Sequence, residues 1–307
     1  MLPLSVVIML GLMYTGIMMD TAIQEAPRSY YVRRQMPVTE PAEPEEPVEP
    51  VVEVESVNTN AKLLPLKHAT EITDFEACAH GSSKNWKNIN GVWMDLHPTN
   101  VDEHVSGGLR SGRGWENDKF RFLNTFKTKT FVDIGANIGV FTLQALHHGY
   151  DVIAVEAFNT NIRQLCSSIV RNNFTNIKLF KAAVWDDTNG TLGFSSPSRN
   201  IGGTGIVTEG ATEYVPKILL DTVLEGIDDY VMKIDIEAAE CHALRSNFWQ
   251  HPAKGLTMEW GNLKRNHQLC PPHMYKRLVE NITRTYGENL LNYNGWDAPP
   301  LTLHVNQ

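Results

Sequence analysis

Cysteine is scarce in this chain and is not clustered. The four cysteines, Cys78, Cys166, Cys241 and Cys270, are widely spaced, and none belongs to a CxxC pair. This spacing excludes a disulfide-rich scaffold and a zinc site of the finger type, and it leaves room for one or two disulfide bridges at most. We therefore expect no structural metal.

Positive charge is also in short supply. The 307 residues include 27 Lys and Arg against 35 Asp and Glu, for a formal net charge of -8, and no basic run is interleaved with aromatic residues. Such a chain has no long-range attraction for phosphate backbones, so we expect no nucleic-acid partner. Its length is sufficient for one large globular domain with appendages.

The first residues lack charge altogether. Residues 2–19 consist mainly of Leu, Val, Ile and Met. The run approaches the roughly 17 to 25 residues of a membrane-spanning helix and exceeds the roughly 7 to 15 residues of a signal-peptide core. We predict a transmembrane signal-anchor at residues 1–19, with a removable signal peptide as the alternative.

Two regions of different composition follow the apolar run. Residues 36–60 repeat Pro and Glu and contain no Lys, Arg or aromatic residue, which predicts a disordered, semi-extended stem over residues 20–62. Residues 63–127 mix Gly-rich and Trp-containing segments and form a predicted accessory region. It either packs on the main domain or covers a pocket, in which case the pocket candidates are His97, His104, Arg110 and Arg113.

The orientation in the membrane is predicted from two opposing signals. Three arginines within residues 28–34 favour a cytosolic main domain by the positive-inside rule. Three N-glycosylation triplets, which begin at Asn173, Asn189 and Asn281, favour a secretory lumen. We expect a single-pass protein with a lumenal main domain, and the cytosolic face or secretion remain alternatives.

From residue 128 onwards the pattern is typical of an α/β fold. Short apolar runs alternate with amphipathic stretches, which predicts β-α units and a mostly parallel sheet. A hairpin is predicted at residues 186–195, and helices at residues 160–172 and 272–286. The predicted strands comprise residues 131–134, 152–155, 177–184, 230–234 and 256–259, followed by a final pair at residues 290–293 and 301–305.

The first β-α turn indicates a nucleotide-like ligand. In FVDIGANIGVF, Gly135 and Gly139 allow the main chain to turn sharply after the strand, and the next helix offers free N–H groups. Glu156 ends the following strand about 20 residues later, where a carboxylate can accept hydrogen bonds from both ribose hydroxyls. These two features together predict an adenosine-containing cofactor.

The turn does not fit a dinucleotide. Position 137 is Asn instead of the second glycine of GxGxxG, so the turn is a poor cradle for a pyrophosphate. Asp133 would repel a diphosphate, but it suits the ammonium group of a methionine moiety. The pattern therefore predicts S-adenosylmethionine as the cofactor.

Four segments resemble the FkbM-type methyltransferases in order and spacing. They are FVDIGANIGVFTL, VIAVEAF, ILLDTVL and VMKIDIEAAE, and the resemblance spans about residues 126–260. It implies a Rossmann-like class I methyltransferase fold over residues 128–307, with a mostly parallel sheet, helices on both faces and an antiparallel last strand. Ala157 and Ala238 depart from the family pattern, since Pro and Gly are usual at these positions.

The resemblance also implies residue roles. Glu156 would bind the ribose and Ala183 would border the adenine. The predicted contacts of the methionine part are Asp133, Gly135, Ala136, Asn137 and Gly139.

The catalytic candidates are acids near the end of the fourth predicted strand. Alternation along an extended chain would point Asp235 and Glu237 the same way, so either can serve as a base for an alcohol acceptor. Their structural alternative is to cap the helix that begins near Ala239. His267 and His242 are rival candidates.

Together these observations predict an S-adenosylmethionine-dependent enzyme that O-methylates a hydroxyl. Its acceptor is expected on a glycan, a lipid or a small molecule, because of the predicted anchor. Two other classes stay open at this point. They are a nicotinamide-dependent Rossmann oxidoreductase and a catalytically silent, membrane-tethered binding module.

Overall fold

The computed structural model describes residues 69–259, 261–263, 266–286 and 301–303. The described residues all belong to one compact unit. The predicted anchor, the predicted stem and the predicted strand at residues 290–293 lie outside the described residues. Among the helices that the structure describes, none combines the length and the apolar character needed to span a bilayer.

The main sheet has seven strands and is mostly parallel. Its five central strands run parallel to one another, and an antiparallel strand closes each edge. In spatial order the strands are β1 (Thr70–Ile72), β6 (Ile177–Lys181), β5 (Asp151–Glu156), β4 (Thr130–Ile134), β11 (Tyr230–Ile234), β12 (Gly255–Met258) and β13 (Leu301–Leu303). The predicted α/β fold with an antiparallel last strand is confirmed.

The strand order has a switch point beside β4. The chain proceeds from β4 to β5 and β6 on one side and later returns through β11 and β12 on the other side. In open α/β sheets, ligands bind in the crevice that such a switch leaves beyond the carboxyl ends of the strands. The topology therefore places the expected site above the ends of β4, β5 and β11.

Helices cover both faces of this sheet. Successive residues of β4 alternate between two apolar cores, so Phe131 packs on one face and Val132 on the other. The core around Phe131 includes α3 (Asn117–Leu123), α4 (Val140–His147) and α5 (Asn159–Asn172). The core around Val132 includes α6 (Leu220–Val223), α7 (Glu240–Ala243) and α8 (Pro272–Tyr286).

A second, four-stranded sheet stands beside the carboxyl edge of the main sheet. In spatial order it comprises β7 (Ala183–Trp185), β10 (Glu213–Leu219), β8 (Thr191–Ser195) and β9 (Gly205–Ile206). One 3₁₀ turn, Ile201–Gly203, lies between β8 and β9, and another, Asn247–Gln250, lies between α7 and β12. The predicted single strand over residues 177–184 is wrong, because the chain leaves the main sheet at Ala182 and continues as β7. The predicted hairpin at residues 186–195 is also wrong, since β10 lies between β7 and β8.

The accessory residues pack on α5 and extend the sheet. They comprise β1, α1 (Phe75–Cys78), the hairpin of β2 (Trp86–Ile89) and β3 (Val92–Asp95), and α2 (Val105–Arg110). Arg171 of α5 lies 4.5 Å from the Trp86 ring centroid and 4.4 Å from that of Trp93. The region is thus tied to the helix by cation–π contacts as well as by apolar packing.

Two disulfides connect these layers. The accessory disulfide, Cys78–Cys166, joins α1 to α5 with the two Cα atoms 5.9 Å apart. The core disulfide, Cys241–Cys270, joins α7 to the segment before α8 with a Cα separation of 5.5 Å. All four cysteines are therefore paired.

Candidate active site

The turn after β4 has the left-handed backbone that its sequence suggests. Gly135 has a φ of 80°, and Asn137, one of the few residue types that tolerates this region, has a φ of 55°. A Cβ atom at position 135 would overlap the Asp235 carbonyl oxygen and lie 2.9 Å from the Asp235 carbonyl carbon. The turn can approach the end of β11 this closely because position 135 is glycine.

Glu156 fixes this turn from the neighbouring strand. It ends β5, is 7% exposed, and accepts hydrogen bonds from Asn137 N at 2.8 Å and Phe158 N at 2.9 Å. The Asn161 side chain donates a third hydrogen bond at 3.2 Å. Burial raises the pKa of Glu156, and these three donors oppose the increase. Oε1 accepts the bonds from Phe158 and Asn161 and Oε2 the bond from Asn137, so Oε2 retains lone-pair capacity for a ribose hydroxyl.

Glu156 and the turn border a cavity with apolar walls, which we call the donor cavity. It extends from the start of β7, where Ala183 lies, past Glu156 to Asp235 and Glu237. Its apolar walls are formed by Ile134, Val155, Ala157, Phe158, Ala182, Ala183, Val184, Phe194 and Ile206. Apolar walls beside one buried carboxylate and exposed main chain fit an adenosine moiety.

Asp133 is placed differently from the sequence prediction. Its side chain is fully buried, and its Oδ2 atom accepts hydrogen bonds from Thr142 N at 3.0 Å and Thr142 Oγ1 at 2.7 Å. Lys233 Nζ lies 3.5 Å from its Oδ1 atom. Asp133 thus caps the first turn of α4 and does not border the donor cavity. Its direct contact with the methionine part stays a prediction that this geometry does not favour.

Three carboxylates gather at the ends of β11 and β12. Oxygen atoms of Asp235, Glu237 and Glu259, here called the acid cluster, lie within 4.8 Å of one another. Asn262 Nδ2 donates to Glu237 Oε2 at 2.6 Å and to Glu259 Oε1 at 3.1 Å. Carboxylates this close favour sharing a proton, and the same spacing would also suit a divalent cation.

Two members of the acid cluster, Glu237 and Glu259, have raised pKa values. Burial, followed by the charge of Asp235, raises the pKa of Glu237 to about 7. Burial, followed by the charges of Asp235 and Glu237, raises the pKa of Glu259 to about 9. A carboxylate with a pKa near neutrality is well matched to general-base chemistry.

The predicted extended chain between Asp235 and Glu237 is wrong. β11 ends at Ile234, and both Glu237 and Ala238 have left-handed backbone angles, with φ values of 55° and 77°. The turn nonetheless brings both carboxylates to the same edge. Glu240, which the sequence reasoning missed, supports the turn because its Oε1 atom accepts a hydrogen bond from Ile236 N at 2.8 Å.

A second cavity, which we call the acceptor cavity, adjoins the acid cluster. The accessory residues His104, Trp115 and Glu116 form one wall, and Ala136, Phe141, Lys233 and the acid cluster form the other. The described residues that border both cavities are Asn137, Gly202, Asp235 and Glu237. These four residues mark the place where the contents of the two cavities meet.

Several predicted candidates lie away from this place. His267 is exposed in the segment between β12 and α8, and His242 stacks on Trp185 with ring centroids 3.7 Å apart. Gly139 precedes α4 without bordering either cavity, although Ala136 borders the acceptor cavity. Of the four accessory pocket candidates, His104 borders a cavity, whereas His97 is buried against Asn161.

The topology and the site define a class of protein. A mostly parallel sheet with a switch at β4, an antiparallel last strand and a glycine turn beside Glu156 make up the Rossmann-like class I methyltransferase fold. Residues 133–269 match the family model described as the Methyltransferase FkbM domain. This match confirms the sequence-based resemblance and supports an S-adenosylmethionine-dependent methyltransferase. No curated protein matches the sequence.

Three solved structures illustrate the similarity of the chain to known folds, and the descriptions of two of them name a methyltransferase. The METTL16 MTase domain is 13% identical with a TM-score of 0.37, over 68% of this chain and 71% of that chain. A human methyltransferase 10 domain containing protein is 13% identical with a TM-score of 0.36, over 67% and 85% of the two chains. M. jannaschii TYW2 in complex with AdoMet is 21% identical with a TM-score of 0.26, over 33% and 46%.

Proposed function

We propose that this protein transfers a methyl group from S-adenosylmethionine to a hydroxyl oxygen of an acceptor that lies in the acceptor cavity. The observation that carries the proposal is that Asp235 and Glu237 border both cavities. An acid at this boundary can receive the proton of the acceptor hydroxyl while the oxygen faces the donor.

The donor cavity fits the adenosine part of S-adenosylmethionine. Glu156 Oε2 accepts a hydrogen bond from a ribose hydroxyl, and Ala183 borders the adenine. Asn137 and Gly135 shape the main chain beside the sulfur. When bound, S-adenosylmethionine supplies a methyl group on a positively charged sulfur, and the reaction depends on the in-line alignment of that methyl group with the acceptor oxygen.

The proton balance assigns Glu237 as the first candidate for the base. The acceptor O–H bond breaks, its proton moves to the Glu237 carboxylate, a new O–CH₃ bond forms, and the S–CH₃ bond breaks with its electron pair left on sulfur. The pKa of about 7 lets Glu237 be ionised before the transfer and protonated after it. Glu259, which borders the acceptor cavity alone, orients the acceptor.

The proposed location is the lumen of the secretory pathway, with residues 1–19 as the anchor and residues 20–62 as the stem. Two disulfides support an oxidising compartment. The glycosylation triplets at Asn173 and Asn189 also support it, because Asn173 is exposed between α5 and β6 and Asn189 is exposed between β7 and β8. A glycan or a lipid is the acceptor class that such a location favours.

The test is transfer of labelled methyl from S-adenosylmethionine to a panel of glycans and lipids by the full chain. Glu237→Gln should lower kcat by about 10²- to 10⁴-fold, the usual contribution of a positioned base. Glu259→Gln is the matched control and should affect KM more than kcat. Equal loss of kcat in both variants would remove Glu237 from the base role. Donor binding without turnover on any acceptor would favour the silent binding module.

The oxidoreductase alternative is tested in the same preparation. S-adenosylmethionine should raise the melting temperature, and NAD should not, because ligand binding stabilises the folded state by mass action. The family match already favours the methyltransferase.

A further inference from the structure

A series of hydrogen bonds, which we call the His97 network, connects the accessory residues to Glu156. Ser83 N donates to Gln164 Oε1 at 3.0 Å, and Gln164 Nε2 lies 3.2 Å from His97 Nδ1. His97 Nε2 lies 2.9 Å from Asn161 Oδ1, and Asn161 Nδ2 donates to Glu156 Oε1 at 3.2 Å. The side chains of His97, Asn161 and Gln164 are buried, so water does not compete for these hydrogen bonds.

The two ends of the His97 network fix the direction of every hydrogen bond in it. A main-chain N–H group can only donate, so the Gln164 amide presents its oxygen to Ser83 and its NH₂ group to His97. His97 Nδ1 is therefore an acceptor, and the ring proton resides on Nε2, which donates to Asn161. At the other end an ionised carboxylate can only accept, which requires the same orientation of the Asn161 amide. Both ends thus require one neutral tautomer of His97.

His97 is held in this form and in this position. Burial, the largest influence on the ring, lowers the pKa of His97 and so disfavours a second ring proton, which would face the Gln164 NH₂ group. The His97 N–H group donates to Ser106 Oγ at 3.1 Å, and the Arg110 guanidinium group donates to the His97 carbonyl oxygen. Ser106 and Arg110 both belong to α2, so the accessory residues determine where the ring lies.

The last hydrogen bond of the network bears on the oxygen of Glu156 that is left for the donor. The two oxygens belong to one planar group, so a bond that fixes Oε1 also fixes the direction of Oε2. Two of the three donors to Glu156 are main-chain N–H groups, and Asn161 is the side-chain donor. Asn161 borders the donor cavity, whereas His97 does not. Any effect of His97 on the donor therefore passes through Asn161.

We propose that His97 is a positioning residue for donor binding, because it orients Asn161, which in turn orients Glu156 towards the ribose. This inference rests on the proposed function, since it requires that Glu156 accept a hydrogen bond from the ribose of S-adenosylmethionine. It gives the accessory residues a role in donor affinity, although the family match at residues 133–269 does not include them.

The test titrates the full chain calorimetrically with two ligands. They are S-adenosylhomocysteine and its 2′,3′-dideoxyribose analogue, which has no hydroxyl to donate to Glu156. His97→Phe keeps a planar ring and removes both ring nitrogens. It should weaken S-adenosylhomocysteine binding by about threefold to tenfold, the usual effect of one lost hydrogen bond, and should change binding of the analogue by less than about twofold.

Two conservative variants assign the effect to one ring nitrogen. His97→Gln places an amide N–H group near the position of Nε2 and can still donate to Asn161, so it should restore most of the affinity. His97→Asn reaches only the position of Nδ1 and should bind S-adenosylhomocysteine as weakly as His97→Phe. Gln164→Met removes the donor to Nδ1. It provides a further variant should His97→Phe fail to fold, and it should likewise weaken S-adenosylhomocysteine alone.

Ser168→Ala is the matched control. Ser168 is buried in α5, one turn after Gln164, and its Oγ atom accepts a hydrogen bond from Asp95 N at 2.9 Å. It thus joins the same helix to the accessory residues, and its hydrogen bonds to Asp95 N and Gln164 O do not lead to Glu156. The variant should leave both affinities unchanged.

The outcomes separate this inference from the proposed function. Equal weakening of both ligands by His97→Phe would show a structural role and overturn the inference. Unchanged affinities in both His97→Phe and Gln164→Met would overturn it as well. Equal affinity of the wild-type protein for the two ligands would remove the ribose contact of Glu156, and the inference with it. A wild-type protein that binds neither of these ligands nor S-adenosylmethionine would instead overturn the proposed function itself.

Discussion

A pair of glycine substitutions tests the close contact between the turn after β4 and the end of β11. Gly135 and Gly149 have nearly the same backbone angle, with φ values of 80° and 84°. A Cβ atom at position 135 would overlap the Asp235 carbonyl group, whereas one at position 149 would meet nothing within 4 Å. Gly135→Ala and Gly149→Ala therefore share the free-energy cost of a left-handed backbone angle, and Gly135→Ala alone adds the overlap with the Asp235 carbonyl group.

The expected magnitudes follow from these two terms. A left-handed backbone angle costs a residue with a Cβ atom about 1–2 kcal/mol, and this is the whole cost of Gly149→Ala. Overpacking against main-chain atoms adds about 1–3 kcal/mol, so Gly135→Ala should cost about 2–5 kcal/mol. For a domain of this size we expect the melting temperature to fall by about 2–8 °C and about 4–20 °C, respectively.

Chemical denaturation and donor titration together give the assay. Gly135→Ala should also weaken S-adenosylmethionine binding by at least about tenfold, because the displaced turn loses a hydrogen bond that holds Asn137. Gly149→Ala should leave this affinity unchanged. Equal free energies of unfolding in the two variants, with the same donor affinity, would refute the contact between the turn and the end of β11.

Three further predictions concern the disulfides and the buried acids. Loop-closure entropy predicts a loss of about 4.6 kcal/mol for double Cys→Ala replacement of the accessory disulfide, which closes 88 residues, and about 3.6 kcal/mol for the core disulfide, which closes 29. Denaturant unfolding of the oxidised proteins measures both losses of stability, and a larger loss for the core disulfide than for the accessory disulfide would contradict the loop-closure argument. Only replacement of the core disulfide should also slow turnover, because it frees the segments on either side of the acid cluster. The rate of methyl transfer should rise with pH through about 7 as Glu237 loses its proton, and Glu237→Gln should abolish this rise. A wild-type rate that does not change with pH would count against Glu237 as the base. Burial raises the pKa of Glu240 from 4.5 to about 8, so the folded protein retains a proton that the unfolded chain has released, and its free energy of unfolding should fall as pH rises between these values. Glu240→Gln should flatten this dependence, whereas an increase in stability over the same range would show that other groups dominate.

The parallel strands of the main sheet were predictable because the sequence of each strand alone indicates a short buried strand, which is what the folded protein contains. The runs that form β4, β5, β11 and β12 are short and apolar, and each is followed by a turn or helix signal. The glycine turn was predictable because left-handed backbone angles favour glycine. Glu156 was predictable because an acidic residue at the end of the second apolar strand is a recognisable pattern.

The second sheet was not predictable from local pattern. Residues 177–184 form one mostly apolar run without a Gly, Pro or Asn that would mark a break. The transfer from one sheet to the other at Ala182 depends on pairing with β10, a strand 30 residues later that contains Pro216. Pairings of this range leave no signal in a short window. The second sheet, which begins with β7 at Ala183, was therefore identified from the structure alone.

The roles within the site show a similar division. Asp133 has the right type and spacing for a donor contact, but the pairing register with Lys233 and the free N–H of Thr142 decide where its carboxylate turns. The closeness of Glu259 and Asn262 to Glu237 depends on two loops that meet only after folding. The residue types indicated a site with carboxylates near the donor. Strand register and loop geometry determine which of these carboxylates face the cavities.

The accessory disulfide and β1 have a practical consequence for any shortened form of the protein. A chain that began at residue 128 would contain all the sequence motifs, yet β6 would lose its antiparallel partner and Cys166 would become an odd thiol. A bare strand edge and an unpaired cysteine both promote association between copies. Such a fragment should precipitate or form mixed oligomers, so the smallest well-behaved version of this enzyme must begin before Thr70.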